Sequence, residues 1–386
     1  MDSIPLGDIN PILTNPCTAR YAVSKARETV GVKPSGTGGF RILLALGNMQ
    51  TELGEHCIIN SSFNGPTFFC FQTTFMRTVL SESVNFWLDN GDAVTHDRNG
   101  FVTDGDHSFF REGNLLATCA FSTVLNAWCP VLYTWISRLD TNHHRPHFHE
   151  LFQSVYKSTG ERFDPKLCFN VSVSKNIHPD TGISLHLKTM DFSAAQQAAF
   201  EEEYVNLIAG QDPTFASMTV GMQEAHRKLL CAEAQTMHRG CEVHYGRSLL
   251  RLRSNGSLVP PEKLSRFNSI TVGMQSPDVT PEEFLAMVAE FQGDFPKLAG
   301  WLDWWLRPTV APTIFPSCTK TVATRLLETS ATSNPIEGQH SLLHRATRTD
   351  LDVLEGIRYL YKHMARFEKQ YLAIEGNVIV SAIFCG

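Results

Sequence analysis

The sharpest alternation of apolar and polar positions lies between residues 100 and 136, where three runs rich in β-branched and aromatic residues follow closely on one another. Gly100–Phe110, Leu115–Ser122 and Ala127–Ile136 are separated only by Glu112-Gly113 and by Val124–Asn126, a pattern that predicts an antiparallel three-strand meander. Upstream, Ala19–Val30 and Phe40–Leu53 carry helical periodicity. The apolar stretch Cys57–Phe71 suits extended structure, and a helix is expected near Thr74–Leu88. Polar Asp89–Asn99 reads as a loop. After the meander, the histidine-dense Asn142–His149 leads into a helix near Pro146–Lys157, and a fourth strand is expected at Ile183–Asp191. Ser193 with Gln196 marks the start of a helix reaching about Leu207.

From about Pro213 to Arg325 the pattern is mainly helical, with Thr280, Pro281 and Glu283 starting a helix through Gln292. A tryptophan-rich helix follows near Phe295–Leu306, and a long helical region runs from Asn334 to about Ala373. The fold class is therefore α/β, with a mixed α+β sheet. Three adjacent antiparallel strands, then helix, strand, helix, is an order found in several mixed α/β folds, the RNase H-like fold among them. The pattern alone does not choose between these.

With 42% hydrophobic and 19% charged residues, the 386-residue chain can build a sizeable core as one large domain with an insertion, or as two domains. No apolar run reaches 18 residues, so no membrane-spanning helix is expected, and MDSIPLGDINP lacks the basic-then-apolar order of a secretory signal. Ten cysteines without a regular framework suit a reduced intracellular compartment. The net charge of −6 means that any surface for a polyanion must be a local patch. One such stretch is Arg239–Arg266, with Arg247, Arg251, Arg253 and Lys263; another holds Lys320, Arg325, Arg345 and Arg348.

Three acidic positions carry the candidate chemistry. Asp104, in FVTDGDHSFF, is in phase with Val102 on the inward face of its strand, and Asp106 shares that face if the strand continues. The alternative is that Asp104-Gly105 is a turn. Asp191 falls in phase with Ile183, Leu185 and Leu187, unless the strand ends by Thr189. Glu337 either closes the start of the helix begun by Asn334 and Pro335, or heads a polar face with Ser341, His344 and Arg348. Gathered together, the three would form a hard-oxygen site suited to Mg²⁺ or Mn²⁺. Zinc is not expected: Cys231, His238, Cys241 and His244 lack the spacing of a closed site, and the 143–149 histidine run reads as a polar loop and helix start. Trp301, Trp304 and Trp305 read as core.

Five motifs in order resemble the transposases of Mutator-like elements (MULE transposases), particularly the divergent fungal type: FVTDGDHSFF, WCPVLYTWISRLDT, TMDFSAAQQAAF, GCEVHYGRSLLR with its Cys-x-x-His, and SNPIEGQHSLLHR. The resemblance implies an RNase H-like fold with a mainly helical insertion before the last catalytic helix. It also implies a DDE triad of Asp104, Asp191 and Glu337 holding two Mg²⁺ or Mn²⁺ ions. The activity implied is DNA strand cleavage and strand transfer at transposon ends.

The implied first acid precedes a glycine, which prefers Asp104 to Asp106. Asp106, Cys241, His244, His340 and His344 become accessory candidates, and Arg247, Arg251, Arg253, Arg345 and Arg348 candidates for contact with DNA. Implied partners are double-stranded DNA, both terminal repeats and target, and further copies of the chain assembled on it in the nucleus, with no membrane. The corresponding divisions are a mainly helical region 1–95, a first core part 96–245, a helical insertion 246–325 and a C-terminal helical core part 326–386 bearing Glu337. The sequence departs from the family in residues 1–99, which hold no Cys/His cluster for its usual zinc-dependent DNA-binding module. The rival readings are a domesticated, transposase-derived DNA-binding protein without catalysis, and a nuclease without strand transfer.

Overall fold

The apolar stretch after Cys57 is extended: the half-buried edge strand β1 (Ile58–Ser62) pairs antiparallel with β2 (Phe68–Phe71), all of whose residues are buried. The computed structural model describes Leu46, Met49, Thr51 and residues 53–90, 98, 100–160, 188–190, 193–318, 334–346 and 349–376. Thr73 Oγ1 accepts a hydrogen bond from Met76 N at 3.2 Å and so starts α1 (Thr74–Asn90).

The expected meander is β3 (Phe101–Asp106), β4 (Asn114–Ser122) and β5 (Ala127–Ile136). Its turns use Gly113 (φ 80°) and Asn126 (φ 48°). At Gly113 both torsion and space demand glycine, since a Cβ would lie 2.5 Å from Trp135 Nε1 and 2.6 Å from the Ile136 carbonyl.

The next helix, α2 (Thr141–Thr159), begins at Thr141 rather than near Pro146. Asp140 caps it, its carboxylate accepting from His143 N, so Pro146 lies inside the helix. Of the expected fourth strand, the described part is β6 (Lys188–Met190); Asp191 and residues 161–187 lie outside the described residues. Ser193 caps α3 (Ala194–Gln211), which runs one turn beyond Leu207 and is followed by α4 (Val220–Gln235). A strand that the pattern did not predict, β7 (His238–Gly240), comes next. Three residues are too few to show an alternation.

These strands form one seven-stranded sheet in the order β1-β2-β5-β4-β3-β6-β7. Neighbours from β1 to β3 are antiparallel, whereas β6 runs parallel to β3 and β7 parallel to β6. The fold is thus mixed α/β. On one face Thr103, Thr118 and Thr134 meet α2. There the buried His147 spans Thr118 Oγ1 (2.7 Å) and Thr134 Oγ1 (2.8 Å), and Thr118 also bonds Thr103 (2.7 Å). A buried imidazole with both nitrogens engaged fixes α2 on the sheet.

The segment after β7 is helical, as expected: α5 (Glu242–Arg253), α6 (Leu264–Gly273), α7 (Pro281–Asp294), α8 (Ala299–Trp305) and α9 (Ala311–Ile314). The capping box of Thr280 and Glu283 is formed. These helices share their own apolar cluster around Tyr245, Phe267, Phe291, Leu302 and Trp305, distinct from the sheet's core. Trp301 and Trp304 pack against that cluster, so the tryptophans are core.

The last helical region is two helices, α10 (Asn334–Ala346) and α11 (Val353–Glu375), with Asp350 at φ 65° between them. This break is stitched to the end of the meander's first strand. Asp350 N donates to Ser108 O (3.0 Å), Leu351 N to Phe109 O (3.0 Å) and Arg111 N to Leu351 O (2.7 Å). Among the described residues no helix is long and apolar enough to cross a membrane. The described cysteines are all free thiols.

Gly356 of α11 lies against the Phe110 ring, where a Cβ would come within 2.2 Å of a ring carbon. Gly356→Ala should therefore destabilise the protein by about 1–3 kcal/mol in chemical denaturation, through overpacking. Adding Phe110→Leu should recover part of that loss. Equal stability of Gly356→Ala and the wild type would show that the contact is looser than described.

Candidate active site

Helix α10 lies across the face of the sheet opposite α2. Ile336, Gln339 and Leu343, spaced i, i+3 and i+7, are buried. Gln339 Nε2 also donates to the Trp128 carbonyl of β5 at 2.7 Å. Burying Ile336 and Leu343 contributes about 1.5–3 kcal/mol each before entropic costs. With that stripe inward, Glu337, His340 and His344 form the adjoining stripe, and its two histidines come over β3.

The geometry of helix and strand explains how two pairs form together. Four residues of helix advance about 6 Å and two of strand about 7 Å. His340 and His344 therefore fall in step with Asp104 and Asp106. His344 Nε2 donates to Asp106 Oδ2 at 2.6 Å, and His340 Nδ1 lies 3.9 Å from Asp104 Oδ2. Both acids are inaccessible, and β3 continues through Asp106 in register with β4, Asp104 opposite Ala117 and Asp106 opposite Leu115. The alternative of a turn at Asp104-Gly105 is thereby excluded. The chain turns only after Asp106.

The two aspartates differ in their surroundings. Asp106 Oδ1 accepts from Ser108 N (2.9 Å), Ser108 Oγ (3.0 Å) and Phe109 N (3.1 Å), while its other oxygen takes the His344 bond. Burial alone would push this carboxyl's pKa up. The Ser108 hydrogen bonds and the nearby His340 and His344 outweigh burial and hold it below the ordinary value. Asp104 Oδ1 accepts from Gly105 N at 2.7 Å, and Oδ2 is the oxygen toward His340.

Glu337, in the first turn of α10, meets the first turns of α5. Arg247 grips its carboxylate with both terminal nitrogens, at 3.2 and 2.9 Å, and His244 Nε2 lies 3.8 Å from Oε1. Cys241 is buried at the start of α5, so the Cys-x-x-His pair sends its thiol inward and its imidazole toward Glu337. Helix α10 thus serves two neighbouring groups: His340 and His344 with Asp104 and Asp106, and, one turn toward its start, Glu337 with His244 and Arg247.

Other sequence candidates lie elsewhere. Arg251 and Arg253 are exposed further along α5, and Arg345 is exposed on α10. Asp191 and Arg348 are outside the described residues. Part of the expected Arg239–Arg266 patch is neutralised: Arg239 is buried on Glu242 (2.7 Å), Lys263 pairs with Asp294 (3.4 Å) and Arg266 with Glu290 (2.5 Å).

The histidine run disperses among separate partners, His143 to Asp140, His147 to two threonines and His149 to Glu203. Cys231 and His238 both turn to Glu201. Among the described residues no three His, Cys, Asp or Glu side chains stand close enough to hold a metal ion as arranged. Sequence reasoning missed Gln339 as an anchor and Arg247 as the partner of Glu337. The i, i+3, i+7 stripe signalled the first; nothing local signalled the second.

No family model, curated protein or solved structure matches the chain.

The depressed Asp106 pKa gives a signed expectation. Its stabilisation is fully present above the ordinary carboxylate value of 3.8 and is lost as pH falls through the lower folded value. Asp106→Asn should cost about 1–3 kcal/mol near pH 6. The gap to wild type should narrow as denaturation is repeated at pH values below 3.8. A gap that stays constant with pH would contradict the assigned role.

Proposed function

We propose that the chain is the catalytic core of a DDE transposase with an RNase H-like fold, cleaving DNA strands at transposon ends and transferring them to target DNA. The observation that carries this reading is the packing of α10 on β3, in which His340 lies 3.9 Å from Asp104 and His344 bonds Asp106, with Glu337 one turn before His340 on the same helix. The element order supports it: three antiparallel strands, then helix, strand, helix, with β6 running parallel to β3. Met190 of β6 pairs with Thr103 of β3, and Asp191 and Asp104 are each the next residue in sequence after that pair.

The donor set fits two hard divalent cations, Mg²⁺ or Mn²⁺, with Asp104, Asp191 and Glu337 as the residues that would hold them. Bound there, such ions supply an activated water or 3′-hydroxyl and stabilise the departing 3′-oxygen. Asp106, with both oxygens engaged, is a positioning residue rather than a ligand, which agrees with the preference for the acid that precedes glycine. His344 orients Asp106 through its hydrogen bond, and His340 stands 3.9 Å from the Asp104 carboxylate. Arg247, Arg251, Arg253, Arg345 and Arg348 would contact the phosphates of duplex DNA, on which copies of the chain assemble in the nucleus.

A second reading, a transposase-derived DNA-binding protein without catalysis, is favoured by the pairing of Glu337 with Arg247 and by the lack of a ready three-ligand cluster among the described residues. Incubation with labelled duplex DNA carrying the inverted repeats that flank the gene, in Mn²⁺, separates the readings. The transposase gives joined products, a simple nuclease gives cleavage alone, and the second reading gives binding alone. Asp104→Ala, Asp191→Ala and Glu337→Ala should each abolish cleavage while keeping a cooperative thermal transition. Native-rate cleavage by Asp104→Ala would refute the site.

A further inference from the structure

Arg247 occupies a position that a metal ligand and a substrate would both contest. Its guanidinium meets the Glu337 carboxylate through two hydrogen bonds, one to each oxygen, the two-point grip that arginine also uses to hold a phosphate. The two side chains are half and about a quarter exposed (50% and 27%), so either can change partner without crossing a packed core. The ion pair also links two distinct apolar cores. Arg247 is on α5, whose Tyr245, Leu249 and Leu252 join the helical cluster, whereas Glu337 is on α10, whose Ile336 and Leu343 join the sheet's core. From Glu337 outward, His244, Arg247 and Arg251 follow at i, i+3 and i+7 on α5. This row of donors starts at the carboxylate and ends at an exposed arginine.

The geometry points to Arg247 as a coupling residue: it holds Glu337 while no DNA is bound, and it transfers to a backbone phosphodiester when DNA arrives, releasing the carboxylate to a divalent cation. This inference rests on the reading of Glu337 as a metal ligand. The exchange is one of contacts only, with no covalent step. An anion that draws Arg247 away removes a competitor of the metal, so DNA tightens metal binding. By linkage, metal tightens DNA binding by the same factor. The arrangement keeps the site short of a complete ligand set until substrate is present.

The test is calorimetric titration of the full-length chain with MnCl₂, with and without a short duplex, for wild type, Arg247→Gln, Arg247→Lys, Glu337→Gln and Lys228→Gln. The last is a charge control on the highly exposed Lys228 of α4. Without DNA, Arg247→Gln should bind Mn²⁺ about three- to tenfold more tightly than wild type, the range expected for removing a partly exposed, bidentate competitor. In that variant, the tightening that DNA causes in wild type should shrink by a similar factor. Arg247→Lys, a single-point donor, should fall between the two and also serves if Arg247→Gln folds poorly.

Wild-type Mn²⁺ affinity and undiminished DNA coupling in Arg247→Gln would overturn the inference, and so would an equal effect from Lys228→Gln. In both cases a weakened Glu337→Gln would leave the proposed metal role intact. Unchanged Mn²⁺ affinity in Glu337→Gln would remove Glu337 as a ligand, and the coupling with it.

Discussion

The candidate site depends on one constraint, the fixed register of α10 against β3. That register is held at three levels. Ile336 and Leu343 seat the helix by burial, and Gln339 ties it to the β5 backbone. The bonds from Asp350 and Leu351 then stitch its far end to Ser108–Arg111, just past the acidic strand. Slip by a single residue turns a helix through about 100° and would remove His340 and His344 from the two aspartates together. The His344–Asp106 bond is therefore both a product of the register and a lock on it.

Two acidic residues that look alike in sequence differ in their surroundings. Asp106 works inside the scaffold: it closes the turn after β3 through Ser108 and Phe109 and anchors α10 through His344. Asp104, two residues earlier on the same face, has one oxygen on Gly105 N and the other toward His340. A buried carboxylate needs compensation. For Asp106 that compensation comes from the Ser108 hydrogen bonds together with His340 and His344 of α10, which is why its pKa falls despite burial.

Much of the scaffold was legible because its signals are local. Alternation marked β3, β4 and β5, and a capping box marked α7. The in-phase position of Asp104 with Val102 gave its face correctly. What was not legible depends on contacts between distant segments. Strand β7 is three residues long and exists because β6 offers it a parallel edge. The start of α2 follows Asp140 rather than Pro146, since a good cap outweighs the preference of proline for a first turn. The grip of Arg247 on Glu337 joins residues 90 positions apart and leaves no trace in either neighbourhood. The stitching of Leu351 to Phe109 and Arg111 is equally invisible from spacing.

The central claim, that Asp104 and Glu337 serve one metal-dependent site on DNA, is tested most directly by anomalous diffraction from crystals grown with Mn²⁺ and a short DNA duplex. The account predicts manganese peaks bounded by the carboxylates of Asp104 and Glu337, with the Arg247 guanidinium moved onto a phosphate. Peaks confined to other parts of the molecule, with Arg247 still on Glu337 in the DNA complex, would contradict it.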